Sequence, residues 1–233
     1  VFIDILPKLP IFLLSLSANT KHEIILLMPY EKLIQLLESD ETPAPPIAYS
    51  LGTPLAFFGY LDGRVPAERG AASLNIANGY LIANGAFRDS NIKNNATKDN
   101  QETWTTGDVF EFFFQPHGRE DYYEAHGTPE GIKLQLHIQD YRTFRQIPFE
   151  QKICDVGTTV ENQIFREQNL WLVQIKIPLV RLGLGMPGVP GSRFAFVRWN
   201  YPHDEANKPV TTATQIFPKT AHFPPKWHRI TFP

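Results

Sequence analysis

Cysteine is almost absent from this chain: Cys154 is the only one in 233 residues. A single cysteine excludes an internal disulfide framework and any cysteine-rich zinc site. No adjacent histidine or motif activates it, so Cys154 reads as a small buried or half-buried strand residue rather than a nucleophile. Charge of one sign is also scarce, with 22 Lys and Arg against 24 Asp and Glu and no basic run. That balance excludes nucleic acid and anionic membrane surfaces as expected partners. The chain lacks a G-x-S-x-G elbow and any glycine-rich phosphate loop, which removes two large classes of enzyme. No internal repeat and no strand–helix–strand alternation is visible.

Long apolar runs are missing too. The run at residues 11–18 follows Lys8 and is too short, and too closely flanked by Pro7 and Pro10, to span a bilayer. It has the form of the hydrophobic part of a secretory signal, with small residues before Ala18. A start at Met28 is the competing reading, since residues 29–39 form a short amphipathic pattern with Leu33, Ile34, Leu36 and Leu37 on one side. The first reading implies an extracellular or periplasmic protein, the second a cytoplasmic one. Residues 42–46 (Thr-Pro-Ala-Pro-Pro) make a stiff linker. The expected organisation is an N-terminal appendage over 1–50 and one domain over 51–233.

Aromatic residues, by contrast, are plentiful: 17 Phe, 8 Tyr and 4 Trp, and proline outnumbers glycine 20 to 15. This favours strands and structured loops over helices. Strands are expected at 54–61, 71–77, 80–87, 108–115, 122–126, 132–138, 170–177, 194–199 and 227–232. Asn78-Gly79 marks a tight hairpin, and Asn84-Gly85 suggests a shortened or bulged second strand. Residues 88–103 are rich in Asn, Asp and Lys and read as a long surface loop, and 178–184 as a short helical turn. Such short, evenly punctuated strands predict an all-β antiparallel β-sandwich, an immunoglobulin-like or jelly-roll-like arrangement of two sheets, with a short helical N-terminal appendage.

The segment from Trp104 to Phe114 holds the most chemistry. Trp104 closes a polar loop, and Glu111 interrupts an otherwise apolar strand. A carboxylate there must be paired, hydrogen-bonded or turned toward a wet cleft. A structural ion pair, for example with Arg198, is the plainer alternative.

Six segments in order carry a resemblance: NGYLIANGAFRDSNI, TWTTGDVFEFFF, DYYEAHGTPEG, WLVQIKIPLVRLG, GSRFAFVRWN and WHRITF. Together they are similar to the family 9 carbohydrate-binding modules and their DOMON-like relatives, over about residues 60–232. The resemblance implies a non-catalytic module binding a saccharide or glycan, with the sugar held by loop aromatics and read by polar side chains. Trp104 matches the first aromatic and Glu111 the sugar-binding carboxylate, although one extra residue separates Trp104 from Asp108. His222 or Phe223 would stand for the second aromatic. Glu124, His126, Arg198 and Asn200 complete the expected ligand-binding set. No cofactor is required. A structural Ca²⁺ is implied by the family, with Asp89 and Asp108 as candidate ligands. The expected protein is a monomer with no membrane span.

Two other classes compete. A glycoside hydrolase needs paired carboxylates; Asp108 and Glu111 point to opposite strand faces, whereas Glu111 with Glu124 stays open. A b-type haem carrier would need two histidines such as His126 and His222, because Met28 and Met186 are poorly placed.

Overall fold

The computed structural model describes residues 28–202 and 208–231. The signal-like run at 11–18 lies outside them. Thirteen strands among the described residues form two sheets. The first contains β1 (Ala48–Ser50), β13 (His228–Thr231), β11 (Arg193–Asn200), β6 (Val109–Gln115), β7 (Tyr122–Gly127) and β8 (Lys133–Ile138), in that order. β12 (Val210–Ala213) pairs with β11 and with β3 (Phe58–Gly59). The second runs β2 (Leu55–Ala56), β4 (Gly70–Ala77), β5 (Tyr80–Arg88), β10 (Leu170–Pro178) and β9 (Thr159–Phe165). The two-sheet β-sandwich expected from the sequence is what the chain forms. Its pairings are antiparallel except one, β1 against β13.

Alternation explains the core. On β6, Phe110, Phe112 and Phe114 face the second sheet, where they meet Phe194 and Phe196 of β11 and Trp171, Val173 and Ile175 of β10. Each such side chain contributes about 1.5–3 kcal/mol on burial. The odd-numbered residues of β6 turn to the opposite face of the first sheet, and Phe113 joins Ala195, Val197, Leu134 and Leu136 there. That outer face is therefore also apolar, and loops must cover it.

Helix α1 (Glu31–Glu38) covers the outer face of the second sheet. Leu33, Ile34 and Leu37, with Tyr30 before the helix, pack on Ala71, Ala86, Leu170 and Leu172. The segment expected as an appendage thus lies against the sandwich, and β1, at the end of the same segment, is a strand of the first sheet.

Three local expectations differ from the structure. β5 continues unbroken through Asn84-Gly85, because Asn84 is buried and accepts a hydrogen bond from Gln174 across the pair. Gly85 sits where a Cβ would meet the Phe87 ring at 2.7 Å. Residues 88–103 form a loop that lies on the surface only in part: Ser90, Lys93, Asn95, Thr97, Lys98, Asp99 and Glu102 are exposed, whereas Asp89, Ile92, Asn94 and Thr103 are buried. Asn94 replaces the missing ladder bonds with its own side chain, donating to Thr103 O and Asp108 O and accepting from Ala96 N. Finally, β1, β9 and β12 carry no apolar alternation strong enough to mark them, and they gain their strand form from the neighbours they pair with.

Candidate functional site

The outer face of the first sheet holds a pocket of about 290 Å³. Its floor is the sheet itself: Glu111 and Phe113 of β6, Glu124 of β7, Leu136 of β8, and Val197 of β11. The walls come from loops: Trp104 on one, Phe144, Phe149 and Lys152 on the stretch after β8, and Thr220 to His222 near the C-terminal end. Of the wall residues, His222 stacks on Phe144 with ring centroids 4.0 Å apart and planes 19° from parallel. Trp104 is half-buried and meets His126 and Phe149 edge-on, each at 5.8 Å. Its loop is anchored by Tyr201, whose hydroxyl donates to Trp104 O at 2.6 Å.

Register brings the polar floor together. Glu111 on β6 lies directly opposite His126 on β7, and Glu124 is two residues along β7 on the same face. His126 Nε2 is 2.7 Å from Glu124 Oε1 and 3.5 Å from Glu111 Oε1. Its Nδ1 contacts Thr103 Oγ1 at 2.8 Å, and both residues are fully buried. Burial pushes the Glu111 carboxyl up to about 7, against the opposing pull of His126. Burial also acts to raise Glu124, but His222, His126 and Lys152 together hold it below the usual carboxylate range. Desolvation acts to lower His126, and the two carboxylates outweigh it and raise its affinity for a proton. Burial dominates at His222 and lowers its affinity. Near neutral pH the floor is thus a hydrogen-bonded cluster with an ionised carboxylate beside a proton-holding imidazole.

Of the residues singled out in the sequence, Trp104, Glu111, Glu124 and His222 line this pocket, and His126 lies beneath it. Phe223 packs edge-on against Tyr141 beside the pocket. Arg198 and Asn200 lie elsewhere. Arg198 faces inward from β11, paired to Asp89 Oδ2 at 2.9 Å and stacked over Phe87. Asn200 donates to Glu68. Both border a separate surface recess with Glu68 and Thr212.

All four carboxylate oxygens of Asp89 and Asp108 already receive donors. Asp89 takes Asn91 N and Arg198 Nη2, and Asp108 takes Lys93 N and Tyr201 N. That is the bonding of a structural ion pair and loop caps, and it does not fit a Ca²⁺ ligand set. Burial, with Asp89 nearby, raises Asp108 to about 7.

Phe113, Phe144, Phe149 and Trp199 also line the pocket and were not legible as site residues in the sequence. The available signal was that Phe113, Val197 and Trp199 make the second face of two core strands apolar, which requires a cover.

The architecture is that of a β-sandwich carrying a small aromatic pocket on one sheet face. No protein-family model matches the chain, and no curated protein matches it. Solved structures do. A candidate carbohydrate-binding protein from Bacteroides uniformis ATCC 8492 aligns with a TM-score of 0.57 at 15% identity, covering 78% of this chain and 85% of its own. Two structures of a family 9 carbohydrate-binding module from Caldicellulosiruptor kristjanssonii, in complex with glucose and with cellotriose, align with TM-scores of 0.52 and 0.51. Their identities are 10% and 12%; they cover 76% and 79% of this chain and 83% and 92% of their own. The chain has the fold of the family 9 carbohydrate-binding modules. No helix among the described residues is long and apolar enough to cross a membrane.

Proposed function

We propose that this domain binds a saccharide without catalysis, in the pocket on the outer face of the first sheet. One observation carries the reading: a small pocket whose walls are aromatic holds two buried carboxylates on its floor. Pyranose rings present apolar C–H faces that suit Trp104 and the Phe144–His222 stack, and their hydroxyls donate to carboxylate oxygens such as those of Glu111 and Glu124. A pocket of about 290 Å³ lies at the small end of ligand sites. Two of the similar structures, both of a Caldicellulosiruptor kristjanssonii module, hold glucose and cellotriose, which supports the same ligand class here. The partner is a saccharide or glycan and the working form a monomer.

Hydrolysis fits the pocket less well. Glu111 and Glu124 lie side by side on one sheet face with His126 between them, so they approach a ligand from one side instead of flanking a bond. A haem role finds no support in the relatives of the fold.

The test is calorimetric titration with mono- and oligosaccharides, comparing wild type with Trp104→Ala and Glu111→Gln. Saturable binding weakened about tenfold or more by either change, in variants with unaltered circular dichroism, is the expected result; tenfold corresponds to about 1.4 kcal/mol. Binding that neither change weakens would place the sugar elsewhere. Release of free sugar from a polysaccharide by the purified protein would end the non-catalytic reading.

A further inference from the structure

The cluster beneath the pocket has a second capacity. Glu111, Glu124 and His126 each offer one ligand atom, and these atoms lie within 4.8 Å of one another. No other group of three such side chains meets that condition among the described residues. Donors bound to a first-row divalent ion at about 2.0–2.2 Å sit about 2.8–3.6 Å apart, from octahedral to tetrahedral angles. Of the separations from His126 Nε2 to the two carboxylates, 3.5 Å falls within that range and 2.7 Å just below it.

Two further observations point the same way. Glu124 Oε2 is buried without a hydrogen-bond partner, in a residue only 4% exposed, at the pocket floor. A buried carboxylate oxygen left without a donor calls for a water or a cation. The imidazole is also oriented as a ligand should be: Thr103 Oγ1 holds Nδ1, which leaves Nε2 aimed between two acids, where a bound ion would take the place of the Nε2 proton and release it to solvent. A hydrogen bond on the far nitrogen is the usual support for a metal-bound histidine.

We propose that Glu111, Glu124 and His126 form a binding site for a divalent transition-metal ion of the zinc or manganese kind, in the floor of the pocket. One imidazole with two carboxylates suits these ions better than calcium, which takes oxygen ligands alone. Three protein ligands leave coordination positions open, as in zinc sites that bind exchangeable groups. His222 is outside the converging set: the nitrogen it turns toward Glu124, Nδ1, stands 3.8 Å from Glu124 Oε2 and is bonded at 2.6 Å to the Tyr122 hydroxyl. The ligands sit on adjacent, fully paired strands, so the site needs no folding of a loop around the ion. Glu111 and Glu124 line the pocket, which gives the ion its entry path.

The experiment uses the whole untagged chain, stripped with EDTA and freed of chelator, titrated calorimetrically with Zn²⁺, with Mn²⁺, and with Ca²⁺ as the control. One Zn²⁺ or Mn²⁺ per chain, bound at least tenfold more tightly than Ca²⁺, is expected. Glu124→Gln and Glu111→Gln, which keep shape and lose charge, should each weaken it at least tenfold. X-ray absorption at the zinc edge on the loaded wild type needs no variant, and should show a first shell of one imidazole nitrogen with oxygens. A folded wild type that takes up no ion, uptake that both glutamine variants retain, or a shell with two or more imidazoles would overturn the site and leave a hydrogen-bonded triad only. No saccharide enters these titrations, so this site and the sugar reading stand or fall separately.

Discussion

His228 shows how one side chain ties distant parts of the chain together. It is fully buried, with Nδ1 2.6 Å from Pro46 O and Nε2 3.0 Å from Thr214 Oγ1. The neutral ring donates from Nδ1 to the linker carbonyl and accepts from the threonine hydroxyl. Burial lowers its pKa from 6.5 to about 4. The unfolded chain therefore takes up this proton at a higher pH than the folded one. Stability from this residue is complete above pH 6.5 and declines as pH falls toward 4, by about 3 kcal/mol in all. Glu111 and Asp108, both raised to about 7, tilt the total the opposite way over the same window, so the decline is read as the difference between wild type and His228→Gln in urea unfolding at several pH values. Arg198 makes a different kind of demand. Arg198→Met leaves the Asp89 carboxylate buried and unpaired, and should cost about 3–5 kcal/mol. Adding Asp89→Leu should restore part of that loss, and equal stability of the single and double variants would argue against a buried charge as the cause.

At the scale of elements, the loop from residue 89 to 108 decides whether Trp104 reaches the pocket. It is pinned by the bridge between Asn94 and Gly107 and by Asp108, which accepts from Lys93 N. Gly107 has φ of +150°, and a Cβ there would lie 2.4 Å from Lys93 O. Gly107→Ala should therefore open the bridge, cost about 1–3 kcal/mol, and weaken saccharide binding by displacing Trp104. Thermal melting and titration of the same variant check the two effects together. The strands on either side of this loop were readable in advance, β5 with its β4 partner from Asn78-Gly79 and β6 from its aromatic run, as was β10, which pairs with β5, from its alternation. The loop was readable as a loop but its buried anchors were not, because they are satisfied by side chains, and polar composition alone cannot distinguish such a loop from a fully solvated one. Glu111 stood out because a lone acid interrupts an apolar strand. Phe144 and Phe149 did not, since nothing in the local pattern says that the stretch after β8 folds back over the sheet.

For the molecule as a whole, the layers run in order: α1, second sheet, first sheet, pocket loops. The outermost two do not touch each other's work. Ile34→Ala, at a position with no exposure, should cost about 2–5 kcal/mol while leaving pocket affinity unchanged under conditions where the domain is folded. Chemical denaturation measures the first quantity and titration the second. The fold class was legible from strand spacing and turn residues. The placement of α1 was not, since its amphipathic pattern shows that it must pack but not on which sheet.

The parallel pairing of β1 with β13 has a mechanical meaning. Ala48 lies beside Arg229 and Ser50 beside Thr231, so tension pulling backward on the chain ahead of Ala48 and forward beyond Thr231 slides the two strands past each other lengthwise. Their hydrogen bonds then share the load and must fail together, whereas an antiparallel hairpin pulled from its open end unzips one bond at a time. Under such a load α1 would peel away first and the strand pair would hold, keeping the pocket intact on a tethered, stretched chain.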